Sequence, residues 1–382
     1  MPHRLLSTVM HLVVFCSITF LAACATTSQT ATGPLSKIKL PPGFEISLYT
    51  DEVPNARTMA LGADGTLYVG SYKAGKVYAV LPPTAGGKPK VLTIAEQMDN
   101  PNGVAYRDGA LYVVDTTCIY RFDGIEQRRN DSSKPTKIYE GFPKQRIHGL
   151  RTIRFGLDGL AYVPIGSSCN VCKANPERYA MLVRLNLADA KPTPEVFARG
   201  IRDTQGYDWH PQTQELWFVD NGRDGLGNDA PPDELNHAPK AGLDFGFPFC
   251  HGAAVADPNF GAERICGELT PTALDLPAHV APLSMRFYTG QQFPPEYRNR
   301  IFIAEHGSSD REPKIGHRIS MVTLKDNRVE KYETFAEGWL KDNVAWGRPV
   351  DVIVAPDGAL LVSDDKAGAI YRISYRGRKV SE

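Results

Sequence analysis

The sequence predicts an all-β fold, a six-bladed β-propeller. A turn-plus-strand phrase recurs six times, most copies are spaced roughly 40 to 60 residues apart, and amphipathic helical periodicity is nearly absent. The copies are 63–69 (Ala-Asp-Gly-Thr-Leu-Tyr-Val), 107–113 (Arg-Asp-Gly-Ala-Leu-Tyr-Val), 157–163 (Leu-Asp-Gly-Leu-Ala-Tyr-Val), 212–219, 298–303 and 356–362 (Pro-Asp-Gly-Ala-Leu-Leu-Val). Asp-Gly supplies the positive φ of a tight hairpin turn, and β-branched and aromatic residues suit a pleated, buried strand. A further strand precedes each turn, as in 103–106, 152–155 and 351–354. Another follows some copies about ten residues later, at 76–80, 118–122, 181–185, 318–322 and 369–373. Units of this kind cannot bury their own faces and must stack radially. The extended segment 44–49 precedes the first copy, so it is expected to close the ring by pairing in the last blade, removing an open edge.

Composition agrees. Gly 34 and Pro 29 fit a turn-rich chain, and 43 Lys and Arg against 43 Asp and Glu give a formal charge of zero. With no basic run, a nucleic-acid partner held by phosphate neutralisation is excluded.

The N-terminus reads as an address. His3 and Arg4 precede an apolar run, 12–21, that is too short to span a bilayer and ends in Leu21-Ala22-Ala23-Cys24. This resembles a bacterial lipoprotein processing box: residues 1–23 are expected to be a signal peptide, Cys24 the acylated first residue, and 24–39 a flexible tether. An ordinary cleaved signal with an incidental cysteine is the alternative. The expected location is the periplasm, with Ala25 after the cysteine resembling lipoproteins sent to the outer membrane. The propeller is expected over 40–376, with 377–382 a tail. In an oxidising compartment Cys169 and Cys172 read as a local disulfide, Cys250 and Cys266 as a second, and Cys118 as buried and unpaired.

Polar residues flanking the repeats fall at one rim of a propeller, where a shared site would form. They are His148, Arg202, Asp203, Asp220, Asn221, the run 305–308 (Glu-His-Gly-Ser), Arg348, Asp364 and Asp365. A neutral imidazole at His148 is placed to act as a general base, although a loop histidine also serves to satisfy backbone groups. Arg151 and Arg154 are equally well placed, but arginines flanking strands usually sit in solvent; His210 reads as surface. Residues 220–236 are dense in oxygen ligands and glycine, which suits either Ca²⁺ or a solvated acidic turn.

Several segments together resemble the soluble quinoprotein glucose, aldose-sugar and sorbosone dehydrogenases. They are 148–152 (His-Gly-Leu-Arg-Thr), 165–172 (Ile-Gly-Ser-Ser-Cys-Asn-Val-Cys), 198–203, 220–236, the Phe-Gly-Phe-Pro bend at 245–248, 305–308 and 347–352. The Cys-Asn-Val-Cys and Pro-Pro-Asp-Glu-Leu-Asn details resemble the sorbosone-dehydrogenase-like branch most. The resemblance implies a six-bladed propeller that binds pyrroloquinoline quinone (PQQ) and Ca²⁺ and oxidises an aldose or sorbosone-type sugar. Hydride would pass to the quinone C5 and electrons to a separate quinone or cytochrome acceptor. It implies His148 as the base, Arg202 and Arg348 as cofactor contacts, and the backbone carbonyls of Gly246 and Pro248 as calcium ligands. It also implies a cationic contact from Arg311 or Lys314. Asp203 stands where the family has asparagine and would repel a tricarboxylate cofactor unless protonated or shared with a cation. Two other functions stay open: a calcium-dependent lactonase or esterase using Asp115, Asn221 and Asp364, and a non-catalytic binding propeller. The membrane is engaged only through the lipid.

Overall fold

In the computed structural model, which describes Met1 and residues 33–84, 87–129, 134–308 and 310–377, six blades form a closed ring. The first blade runs Ala56–Leu61, Leu67–Ser71, Val77–Leu81 and Lys90–Ala95, all antiparallel. The second blade begins with Gly103–Arg107 and the third with Arg154–Phe155. Thr204–Trp209 opens the fourth, Pro282–Phe287 the fifth and Pro349–Val354 the sixth. The third blade gains a parallel outer strand, Leu243–Asp244. The opening strand of each blade faces the next blade, and the sixth returns to the first, so the ring closes.

Closure is made by the N-terminal strand. Phe44–Thr50 pairs antiparallel with Ala369–Tyr375, Phe44 opposite Tyr375 and Leu48 opposite Tyr371, as the sequence predicts. The core is divided into six apolar clusters, each lying between neighbouring blades. Period-two geometry explains this: in Leu67–Ser71, Tyr68 faces the second blade while Leu67 and Val69 face the sixth. Both faces of a central strand are therefore buried, which is why the repeated phrase is apolar at consecutive positions. Each such side chain contributes about 1.5–3 kcal/mol.

The ordered fold starts earlier than residue 40. Gly33–Lys37 makes a 3₁₀ turn, Leu35, Ile38 and Leu40 pack on the cluster between the fifth and sixth blades, and Lys39 and Glu337 exchange backbone hydrogen bonds of 2.7 and 3.1 Å. Burial of these aliphatic residues is the reason that this end of the expected tether is held. The readings of 1–23 and Cys24 lie outside the described residues, Met1 apart, as do 378–382 of the tail. Disulfides join Cys169 to Cys172 and Cys250 to Cys266, and Cys118 is buried and free.

Candidate active site

At one rim, where the second strand of each blade ends, a carboxylate often stands at the strand terminus. Asp220 there accepts the N–H groups of Arg202 (2.7 Å) and Asp203 (2.8 Å) and the Thr204 hydroxyl (2.8 Å). Asp364 accepts from the N–H groups of Arg348, Lys366 and Ala367, and Asp115 from those of Thr117 and Cys118. These carboxylates tie down the loops that carry the site; of the set expected for a lactonase, Asn221 lines the cavity at the channel mouth and Asp115 and Asp364 do not. Burial raises Asp220 to about 6, against the hydrogen bonds that lower it.

The loops so held wall a cavity of ≈ 250 Å³ at the channel mouth. His148, Arg202, Asp203, Asn221, His306 and Arg348 all line it, drawn from four different blades. A second cavity of ≈ 550 Å³ adjoins it, sharing His148 and Asp203 and bounded by Tyr72, Lys144 and Gln205. His148 has a positive φ of 52° and its Nδ1 lies 3.0 Å from the Ser167 carbonyl. A carbonyl only accepts, so Nδ1 carries the proton and Nε2 keeps its lone pair. Burial lowers the His148 pKa; Asp203 opposes this and Arg202 adds to it, so the ring is neutral at pH 7. Gly166 permits the packing, because a Cβ there would lie 2.6 Å from that of His148.

Both arginines are oriented mainly by uncharged acceptors. Arg202 donates to the Asn170 carbonyl (2.8 Å) and side-chain oxygen (2.8 Å) and to the Asn221 carbonyl (3.1 Å), with Asp224 at 3.4 Å. Arg348 donates to the carbonyls of His306 (3.1 Å) and Gly307. Carbonyls fix a guanidinium without cancelling its charge, and Asp203, Asp224 and Asp233 line the same cavity, which therefore holds two guanidiniums beside three carboxyl groups. Asn221 donates to the Asp203 carbonyl (2.9 Å) and carboxylate (3.2 Å), while its own buried Oδ1 has no hydrogen-bond partner among the described residues.

Deeper in the channel lies a hub that the sequence does not reveal. Arg57, from the first blade, donates to Asn102 (2.8 Å), Gln205 (2.8 Å) and Asp365 (3.0 Å), joining the second, fourth and sixth blades. The other Asp365 oxygen meets His306 Nε2 at 3.0 Å. Burial pushes His306 down to about 4, with Asp365 pulling the other way. Burial raises Asp365, but His306 and Arg57 outweigh it and hold the carboxyl far below its usual range.

Other expected residues sit elsewhere. Arg311 pairs with Asp229 (2.9 Å) and the Asn228 carbonyl, and Lys314 engages Asn343 through its backbone; neither lines the mouth cavity. The Gly246 carbonyl is spent on the N–H groups of Phe249 (2.8 Å) and Cys250 (3.0 Å), and neither Gly246 nor Pro248 reaches that cavity. Among the described residues the group with metal-ligand spacing is instead Asp224, His279 and Asp310, whose ligand atoms lie within 4.8 Å of one another. Arg151 is fully buried, holding the His148 loop through the carbonyls of His148 (3.2 Å) and Pro143 (3.1 Å). His210 is buried too: its Nδ1 accepts the N–H groups of Gln212 and Thr213.

The TrAA12-like family profile matches residues 38–376. The chain belongs to the TrAA12-like family. An uncharacterized protein of Borreliella burgdorferi is 35% identical over 357 residues, covering 89% of this chain and 91% of its own. The holo PQQ domain of pyranose dehydrogenase from Coprinopsis cinerea superposes with a TM-score of 0.74 at 16% identity, over 88% of this chain and 97% of its own. The PQQ-bound aldose sugar dehydrogenase from Streptomyces coelicolor gives 0.62 at 18%, over 88% and 99%. These similarities show the shared six-bladed fold. In this TrAA12-like chain, the carbonyl-held Arg202 and Arg348 and the orphaned Asn221 Oδ1 line one cavity, and Asp224, His279 and Asp310 stand close enough together to share a cation.

Proposed function

We propose that this protein is a PQQ- and calcium-dependent oxidoreductase that oxidises a hydroxyl of an aldose or related sugar. The observation that carries the reading is the mouth cavity itself, where one neutral histidine with a free Nε2 faces two guanidiniums held by carbonyls. Bound PQQ supplies the two-electron acceptor for the sugar's C–H hydride. Arg202 and Arg348 would hold its carboxylates, and Asp224 and Asp310 would share its calcium. The Asp203 carboxylate accepts the Asn221 side-chain amide (3.2 Å), which fixes it on the cavity wall.

His148 takes the hydroxyl proton at Nε2 while the Ser167 carbonyl keeps Nδ1–H in place. This removes positive charge build-up at the oxygen as the hydride leaves. Arg151 acts through His148 by fixing its loop. The adjoining ≈ 550 Å³ cavity, which shares His148, is the place for the sugar. The Leu-Ala-Ala-Cys box supports an exported, lipid-anchored protein of the periplasm, probed by mass analysis of Cys24. The test is titration of apoprotein with PQQ and Ca²⁺, followed by dye reduction with a sugar panel. Saturable cofactor binding and sugar-dependent reduction are expected; absence of saturable binding ends the dehydrogenase reading.

A further inference from the structure

The pairing of Lys39 fixes the rim at which the described chain enters the fold. Lys39 bridges Glu337, Glu337 is in register with Arg318, and Arg318 with Glu305. The residue after Glu305 is His306, a wall of the mouth cavity. The chain therefore joins on the same rim as the candidate active site, at the outer edge of the fifth blade.

That edge is basic. A groove of ≈ 530 Å³ is lined by Lys37, Lys39 and Lys341, with Glu337 its one acidic wall residue. Lys39 pairs with Glu337 at 3.3 Å, while Lys37 and Lys341 have no ion-pair partner among the described residues. Lys341 belongs to a hairpin, Leu340–Lys341 with Val344–Ala345, that presents Val344 to solvent at 69% exposure. On the same rim, Ile147 is also exposed, between Arg146 and the site histidine. Exposed aliphatic residues beside unpaired lysines are the chemistry of an interfacial membrane contact.

We infer that the rim carrying the active-site cavity docks on an anionic lipid surface, with Lys37 and Lys341 against headgroup phosphates and Val344 in the interface. The inference rests on the reading of Cys24 as an acylated residue. Nine peptide steps separate Cys24 from Gly33, so an anchor there lets Gly33 lie no more than about 30 Å from the bilayer.

The experiment uses the full-length protein extracted from membranes and reconstituted on phosphatidylglycerol–phosphatidylcholine vesicles with spin-labelled headgroups. Fluorescent reporters are placed by Val344→Cys and Ile147→Cys, and on the opposite rim by Leu157→Cys, where Leu157 is 67% exposed. Quenching is expected at 344 and 147 and not at 157. Lys37→Gln with Lys341→Gln should lower the ratio of docked to undocked protein about 25-fold, roughly five-fold per lysine. Equal or stronger quenching at 157, a contrast unchanged by the double variant, or failure to bind the vesicles overturns the proposal. Intact mass scores acylation separately: if Cys24 carries no lipid, the anchor reading fails there, while the reporters still show which rim meets anionic lipid.

Discussion

Replacing Arg57 by Met tests whether the channel hub holds the ring together. The guanidinium is 3% exposed and serves three acceptors on three other blades. Removing one partner of a buried ion pair costs about 3–5 kcal/mol, because the remaining charge is left in low dielectric. His306 stays on Asp365 and limits the loss to that range. With about 2.1 cal/mol/K of unfolding entropy per residue, over the roughly 340 residues that make up the propeller, the Tm should fall by about 4–7 °C. The pH dependence carries its own sign. Asp365 titrates in the fold well below its unfolded value, so its contribution is present above about pH 4 and is lost as pH falls through the folded value. The gap between wild type and variant is therefore full at pH 7 and narrows in acid. Calorimetry and circular dichroism melts at pH 3 to 8 read both. A loss below about 1 kcal/mol at pH 7, or a gap that widens on acidification, would refute the role given to Arg57.

His148→Ala should leave PQQ binding largely intact and lower the rate about 10²-fold or more, read by dye reduction at saturating cofactor; an unchanged rate removes His148 from the chemistry. Asp203→Asn removes the charge that raises the His148 pKa, so the acid limb of kcat/KM should move to lower pH and PQQ should bind more tightly; a limb that stays put or rises contradicts the pairing. Gly307→Ala places a Cβ 2.3 Å from His317 Nε2 at φ +78°, whereas Gly109→Ala, at φ +77°, meets nothing within 4 Å. Left-handed backbone costs both about 1–2 kcal/mol and overpacking costs the first a further 1–3 kcal/mol or so, so urea melts should separate them; equal losses would show that His317 yields freely.

The blades were legible because their information is local: Asp-Gly at 64–65, 108–109, 158–159 and 357–358 marks a hairpin, and the apolar strand behind it reports burial on two faces. His148, Arg202, Asp203 and Arg348 were legible for a related reason, since repeat phase places residues beside strand ends on one rim. Arg57, Asn102 and Gln205 were not, and Asp365 was legible only as a rim residue, not as their partner. Each is an ordinary polar residue within its own repeat, and only closure of the ring brings them within 3 Å. Asp115 and Asp364 misled because a carboxylate at a strand end serves either a ligand or its own loop's N–H groups, and spacing does not distinguish these. Arg151 and His210 misled in the opposite direction: proximity to a strand says nothing of the backbone carbonyls or N–H groups that bury them. The Gly246 carbonyl is consumed by a turn whose hydrogen bonds no motif announces.

The pairing of Phe44–Thr50 with Ala369–Tyr375 has a consequence for how the molecule comes into being. Its partners include Glu45 and Arg376, 331 positions apart, so the last blade cannot be completed until the final strand has been delivered. Five blades have sequence-local partners and can assemble as they emerge, but the sixth waits for the longest loop closure in the chain. A chain built this way stays open until its last strand is free to pair, and shortening it by that strand would leave Phe44–Thr50 with no neighbour to pair with.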